Sequence, residues 1–209
     1  MKLRCSTKTE KDYYASIYLD NHKWGVLPRK ALHSFFDQIV PSELDENEAH
    51  ALIELLRNFA LEKLLDYLAK FERCTYLARS YLQRYGFDRS IIDYCIGEAL
   101  AKGFVDDNRF AEIYIRSFAQ SGKSRKQIST KLRTLQIPLA VFEQFLDEYL
   151  DKDNQILAIT EEINKLLHNT QGLAPRKRRE KILGSLYRKG FEISSVMRIL
   201  DQYDLNSDL

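Results

Sequence analysis

The feature that most constrains this chain is an apolar pattern that occurs three times, at intervals of about 50 residues. Each repeat carries six apolar positions at matching spacings. In chain order of the repeats, these positions are Ala78, Ile128 and Ile182; Leu82, Leu132 and Leu186; Phe87, Ile137 and Phe191; Ile92, Phe142 and Val196; Cys95, Phe145 and Ile199; and Ile96, Leu146 and Leu200. A period of this length predicts a tandem array of small helical units, and such arrays present a long surface to a partner.

The spacing inside each repeat indicates how one helix turns into the next. Leu82 and Phe87 flank Gly86 at the positions whose apolar contact closes a Schellman helix end, where glycine takes the left-handed conformation at little cost. The third repeat has the same arrangement around Gly190, whereas the second has Gln136 in place of glycine. The apolar pair can persist in the second repeat, but the backbone geometry of its helix end is left open.

A further helical stretch precedes each of these helix pairs. The second module begins at an aspartate cap, Asp106 or Asp107, and Ser124 caps its next helix. We therefore predict a mainly α fold of three tandem three-helix modules, over residues 58–103, 104–150 and 151–209. Small modules bury little surface alone, so we expect neighbouring modules to pack against one another in an elongated array.

Residues 1–57 lack the repeated apolar pattern, and their sequence predicts a short β-hairpin followed by helices. YYASIYL alternates, with Tyr13, Ala15, Ile17 and Leu19 on one face, and residues 24–27 can pair back after a polar turn. Pro28 suits the first turn of a helix that ends at Pro41. Asp45 and Glu48 then resemble a capping box, opening a helical stretch to Phe71 that we divide into two helices, with a break near residues 57–60.

The formal net charge of +2 indicates no class of partner by itself, but the distribution of charge is uneven. Residues 113–142 contain no acidic residue, and residues 175–191 contain a single glutamate. Cations at the start of a helix oppose its dipole and cost a few tenths of a kcal/mol each. Basic clusters at two helix starts therefore suggest a use beyond folding, either phosphate contact or attraction to an acidic protein surface. The candidate binding residues are Arg116, Lys123, Arg125, Lys126, Lys131, Arg133, Arg176, Lys177, Arg178 and Arg179.

The sequence offers no catalytic constellation. The four histidines are scattered without zinc-ligand spacing, no glycine-rich phosphate loop follows a strand, and the three cysteines lack metal-ligand spacing. We expect no enzyme, no catalytic residue, no metal and no cofactor. No apolar run reaches the roughly 18 residues of a membrane span, and no signal-peptide core is present, so a cytoplasmic protein with no membrane association is expected.

Residues 81–137 resemble the core of the RecX family, the bacterial regulators of the recombinase RecA. The resemblance is carried by the Gly–Phe helix exit at 86–87, the stretch GFVDDNRFA at 103–111, Arg–Ser at 116–117, Gly–Lys at 122–123, and the apolar spacing from Ile128 to Ile137. The third repeat resembles the C-terminal module of that family. Ser124 and Gln136 depart from glycines that the family often has.

The resemblance implies a protein that lies along the groove of the RecA filament on single-stranded DNA. It would limit filament growth, ATPase, strand exchange and co-protease activity, and so act in recombination, DNA repair and the SOS response. A monomer without cofactors is expected. Two other functions stay open at this point: a stand-alone helical DNA-binding protein, whose affinity falls steeply with salt, and a scaffold that binds only proteins.

Overall fold

The computed structural model describes residues 1–7, 9 and 12–205, and within them the chain is mainly helical with a small N-terminal sheet. The chain divides into two compact units, the N-terminal unit Met1–Asp106 and the C-terminal unit Asp107–Leu209. The elements are β1 Leu3–Ser6, β2 Tyr14–Leu19, β3 His22–Pro28, α1 Arg29–Phe35, α2 Glu46–Leu68, α3 Thr75–Tyr85, α4 Arg89–Ala101, α5 Asp107–Gln120, α6 Arg125–Thr134, α7 Leu139–Tyr149, α8 Lys152–His168, α9 Pro175–Arg188 and α10 Ile193–Leu200. The predicted fold class is confirmed, and the division into three modules stays a prediction.

The N-terminal sheet is antiparallel with the order β1–β2–β3, so the predicted hairpin gains a third strand. Asp20 and Asn21 form the hairpin turn with φ values of 47° and 65°, the pair of positive angles that a type I′ turn requires. Ala15, Ile17 and Leu19 are buried as the alternation predicts. Tyr13 was wrongly predicted to share their face. It precedes β2 and is 67% exposed.

Two boundaries of the early helices differ from the sequence-based expectation. Pro28 ends β3 and occupies the position before α1, and α1 ends at Phe35, well short of Pro41. The predicted capping box at Asp45 is confirmed, but the predicted break near residues 57–60 is wrong, because α2 is continuous from Glu46 to Leu68. Neither glycine nor proline interrupts α2, and its fully buried residues recur at four-residue spacing: Leu52, Leu56, Ala60 and Leu64.

The apolar columns of the repeat form the cores, and all their residues are buried except Phe145, which is partly exposed. All three helix exits close in the same way, with the amide of the later apolar residue donating to the carbonyl of the leucine five residues earlier. These distances are 3.4 Å in the first repeat and 3.1 Å in the second and third. Gln136 adopts a left-handed φ of 59°, beside 86° for Gly86 and 81° for Gly190. The second helix end therefore keeps the glycine geometry without glycine.

The C-terminal unit is built from two sets of helices. Helices α5, α6 and α7 pack together, and helices α8, α9 and α10 pack together around a second apolar cluster. α5 begins at Asp107, which leaves Asp106 in the cap position. Ser124 caps α6 as predicted, and its side chain and that of Gln127 form a reciprocal capping box.

The left-handed conformation of Gln136 predicts that Gln136→Gly stabilises the chain. A side chain in this region costs about 1 kcal/mol, and the Gln136 side chain is exposed, so its removal loses little packing. We expect a gain of about 0.5–1 kcal/mol in the free energy of unfolding, measured in urea. The matched control is Gln83→Gly, in an exposed position inside α3, which should lose up to about 1 kcal/mol. A loss of stability in both variants would contradict the argument.

Candidate functional site

A basic groove lies within the C-terminal unit, between one face of α6 and the end of α9. It has a volume of about 450 Å³ and exposes four cations with no acidic residue among those that line it. The residues of this basic groove are Lys126, Gln127, Thr130, Lys131, Thr134, Arg188, Lys189 and Gly190. The five α6 residues follow the three-to-four spacing of one helix face, which explains why they meet the same neighbour. Cations among neutral hydroxyl and amide groups form a surface suited to anions.

The docking of α6 on the end of α9 creates this groove. The Ser124 hydroxyl, at the start of α6, donates a hydrogen bond of 2.6 Å to the carbonyl of Lys189. A Cβ on Gly190 would lie 2.8 Å from Cβ of Lys126, so only glycine allows this approach. Glycine at 190 therefore allows both the left-handed exit of α9 and the close contact with the start of α6.

The position of Lys126 changes how its charge is understood. At the start of α6 an ammonium group opposes the dipole of its own helix, but here its side chain lies against the C-terminal end of α9. The aliphatic part of the Lys126 side chain therefore packs on the end of α9 and contributes to the fold.

The cations of the groove differ in how far they are engaged within the protein. Lys131 and Arg188 are exposed, and among the described residues neither has an ion pair. Lys189 instead donates to the carboxylate of Glu162, which also lies 3.7 Å from the ammonium of Lys165. Lys131 and Arg188 are consequently the groove cations that a partner can use at the least cost to the fold.

The electrostatics of Glu162 follow from its place beneath Lys189. Burial by itself would raise the pKa of this carboxyl, but the hydrogen bond from Lys189 and the charges of Lys189 and Lys165 outweigh it. The pKa of Glu162 is therefore lowered from its usual range. The Glu162–Lys189 pair holds the end of α9 to α8 beside the groove.

Two predicted site residues make contacts inside the unit. Arg125 forms an ion pair of 2.6 Å with Asp147 of α7. Arg178 is buried, 1% exposed, and donates to the carbonyls of Leu167 and Leu205 at 3.1 and 3.3 Å. Its guanidinium joins α9 to the end of α8 and to the segment after α10. Arg178 is therefore a structural residue and is not part of a binding surface.

The other basic residues at the start of α9 lie at the opposite end of this helix from the basic groove. Arg176 pairs with Glu180 at 3.1 Å, and Arg179 pairs with Asp201 at 2.6 Å. Lys177 is exposed. Because α9 spans about 20 Å at 1.5 Å per residue, the basic residues at its start and the basic groove at its end form separate surfaces.

The other predicted cations lie outside the basic groove. Arg116 lines a different groove, which also holds Glu148 and Glu161, and Lys123 and Arg133 are exposed. Sequence reasoning overlooked Arg188 and Lys189 as members of the site, although both stand in the acid-poor stretch 175–191. They lie at a helix end, where cations need no explanation beyond folding. The structure thus brings together two of the predicted residues, Lys126 and Lys131, with two that were not singled out.

The described part of the chain contains no cluster of three or more histidine, cysteine or acidic side chains that could hold a metal ion. Over the same residues, none of the helices combines the length and apolar character needed to cross a membrane.

Comparisons with known proteins place the chain among regulatory proteins. No family model matches it. The regulatory protein RecX of Lactobacillus johnsonii is 25% identical over 206 residues, covering 98% of this chain and 75% of the relative. RecX proteins of Staphylococcus aureus are 28% identical over 155 residues, covering 71% of this chain and 54% of the relative. The chain is thus similar to RecX proteins over most of its length. It spans about half the length of the staphylococcal RecX proteins.

Two solved RecX structures share the fold. A crystal structure of regulatory protein RecX aligns with a TM-score of 0.68 at 21% identity, covering 96% of this chain and 98% of the other. RecX from Lactobacillus salivarius aligns with a TM-score of 0.62 at 23% identity, covering 71% of this chain and 97% of the other. The helical architecture that positions the basic groove is therefore a RecX architecture.

The lowered pKa of Glu162 predicts a pH-dependent loss of stability. Because this pKa is lower in the folded chain, the stabilisation is fully present above the unfolded value near 4.5 and disappears as the pH falls through the folded value. Glu162→Gln should therefore be less stable by about 0.5–1 kcal/mol at pH 7 and show a smaller deficit at pH 3, measured by urea unfolding. The exposed neighbour Glu161, changed to Gln, serves as the control. An equal deficit of Glu162→Gln at both pH values would refute the ion pair.

Proposed function

We propose that this chain is a non-enzymatic regulator that binds the RecA filament on single-stranded DNA and limits its growth, ATPase activity and strand exchange. Its place is in recombination, DNA repair and the SOS response, as a monomer in the cytoplasm. The similarity to RecX proteins, which are named regulatory proteins, supports the regulatory role. The observation that carries the mode of binding is the basic groove of the C-terminal unit.

The groove has the chemistry that contact with a nucleoprotein filament needs. Both DNA phosphates and the carboxylates of a protein surface accept hydrogen bonds from ammonium and guanidinium groups. Lys131 and Arg188 supply these donors, and Thr130, Thr134 and Gln127 supply the neutral side chains that often accompany phosphate contacts. The helices that carry these charges are already held together by the contact of α6 with α9, so binding needs no rearrangement of the backbone there.

The sharpest test removes the two groove cations without an ion pair, Lys131 and Arg188. Lys131→Gln/Arg188→Gln should raise the concentration that halves the single-stranded-DNA-dependent ATPase of RecA by about tenfold, since two exposed charge contacts contribute up to about 1 kcal/mol each. The ATPase is titrated with the full chain at fixed salt. Arg125 and Lys126 are left unchanged, because Arg125 pairs with Asp147 and Lys126 packs on α9.

The matched control removes the same charge from another groove of the C-terminal unit. Lys152→Gln/Arg198→Gln changes two exposed cations that lie among Asp151, Asp153 and Glu192, and it should leave inhibition unchanged. No inhibition by the original chain at any concentration up to saturation would overturn the proposal. Tight binding to naked DNA with no effect on RecA would instead favour the stand-alone DNA-binding protein.

A further inference from the structure

A second groove, in the N-terminal unit, is lined by tyrosines. It has a volume of about 490 Å³ and lies between the end of α3 and the sheet. The residues of this tyrosine groove are Tyr14, Val26, Tyr81, Arg84 and Tyr85. Tyr14 and Tyr85 meet edge to face with ring centroids 6.4 Å apart, and Tyr81 meets Tyr85 at 5.2 Å. Three rings thus enclose a concave surface within the size range of small-ligand sites.

The aromatic surface continues beyond the groove on both sides. Tyr13, which is 67% exposed, meets Tyr14 edge to face at 4.8 Å. Tyr67 stacks on Tyr81 with centroids 4.1 Å apart and ring planes 4° from parallel, and the guanidinium of Arg73 lies 5.0 Å from the Tyr67 ring. These packed rings hold the groove tyrosines in place.

The charges around the tyrosine groove favour an anionic ligand. Arg84 is exposed in the last turn of α3, and Lys23 places its ammonium 2.6 Å from where a Cβ on Gly86 would lie. Neither cation has an ion pair among the described residues. Asp66, whose charge acts on Tyr81, lies 3.4 Å from the ammonium of Lys63.

The phenol of Tyr81 carries no negative charge at neutral pH. Burial raises the pKa of Tyr81, and its hydrogen bond with Tyr85 raises it further, with smaller contributions from Asp66 and Tyr14. A phosphate beside the groove therefore meets two cations and no repulsion from Tyr81.

We infer that the tyrosine groove of the N-terminal unit binds a base of single-stranded nucleic acid by stacking, with Arg84 and Lys23 beside the flanking phosphates. Single-strand binding sites combine a basic path for the backbone with aromatic rings for the bases. An apolar partner helix would be met by aliphatic side chains, but the lining has only Val26, and Val26 is buried. The contact needs no recombinase, so it goes beyond the proposed function and does not rest on it.

The test measures binding of a fluorescein-labelled 15-residue oligothymidine to the full chain by anisotropy, without recombinase. Tyr14→Thr removes one ring and keeps a residue that favours strands, and Arg84→Gln removes one cation and keeps a residue that favours helices. Each should weaken binding about fivefold or more, the range for loss of a stacked base. An abasic oligomer of the same length should bind the original chain more weakly than oligothymidine does, and Tyr14→Thr should not weaken it further.

The matched control is Tyr94→Leu, because Tyr94 is 38% exposed on α4 and Tyr14 is 37% exposed in the tyrosine groove. Unchanged binding in this control, with unchanged melting temperatures in all variants, supports the inference. Equal affinity of the original chain for abasic and thymidine oligomers would overturn it, as would unchanged binding by Tyr14→Thr. Loss of RecA inhibition by Tyr14→Thr with oligothymidine binding intact would assign the groove to the recombinase, overturning this inference and leaving the proposed function standing.

Discussion

The left-handed helix exit is the constraint on which the rest of this structure depends. At each of three exits, one residue with positive φ lets the amide of the following apolar residue reach the leucine carbonyl five residues back. The same step brings the two apolar side chains together at the edge of a core. The hydrogen bond satisfies a carbonyl that the helix leaves without a partner, and the apolar contact fixes the direction of the next helix. The helices joined at these exits have 8 to 14 residues and are marginal alone in water, so they depend on such contacts.

The exit at Gly190 also links the fold to the candidate site. Its missing Cβ allows the start of α6 to approach, and the Ser124 hydroxyl then bonds the carbonyl of Lys189. The basic groove is thus a consequence of how two helix pairs meet. Gln136 shows that a left-handed exit tolerates a side chain where no other helix approaches it. At Gly190 the neighbouring Lys126 leaves no room for one.

Much of the fold was predictable because it is encoded locally. Periodicity located the buried columns, and short capping patterns located the starts of α2 and α6. β1 was missed because its four residues are held by pairing with β2, which local sequence does not reveal. The predicted break in α2 failed because the apolar stripe continues through it, and tertiary burial extends the helix.

The candidate site was less predictable, because charge runs in the sequence do not distinguish cations that fold the chain from those that bind. Arg178 stands in the densest run and is buried against backbone carbonyls. The basic groove joins residues about 60 positions apart, so no local pattern could combine Lys131 with Arg188. What could be inferred was the unfavourable placement of cations at the α6 start. In the structure, the side chain of one of these cations, Lys126, packs against the end of α9.

At both helix exits that contain glycine, a lysine side chain packs beside the glycine. Lys23 lies against Gly86 at the end of α3, and Lys126 lies against Gly190 at the end of α9. At Gly86 the neighbour is the ammonium end of Lys23, and at Gly190 it is the Cβ, Cγ and Cδ atoms of Lys126. Both lysines therefore take part in the packing of a helix end. A partner gains more from cations that the fold leaves unengaged, which in the basic groove are Lys131 and Arg188. Binding energy is thus expected to be concentrated beside the helix exits, while the exits themselves hold the surface in place.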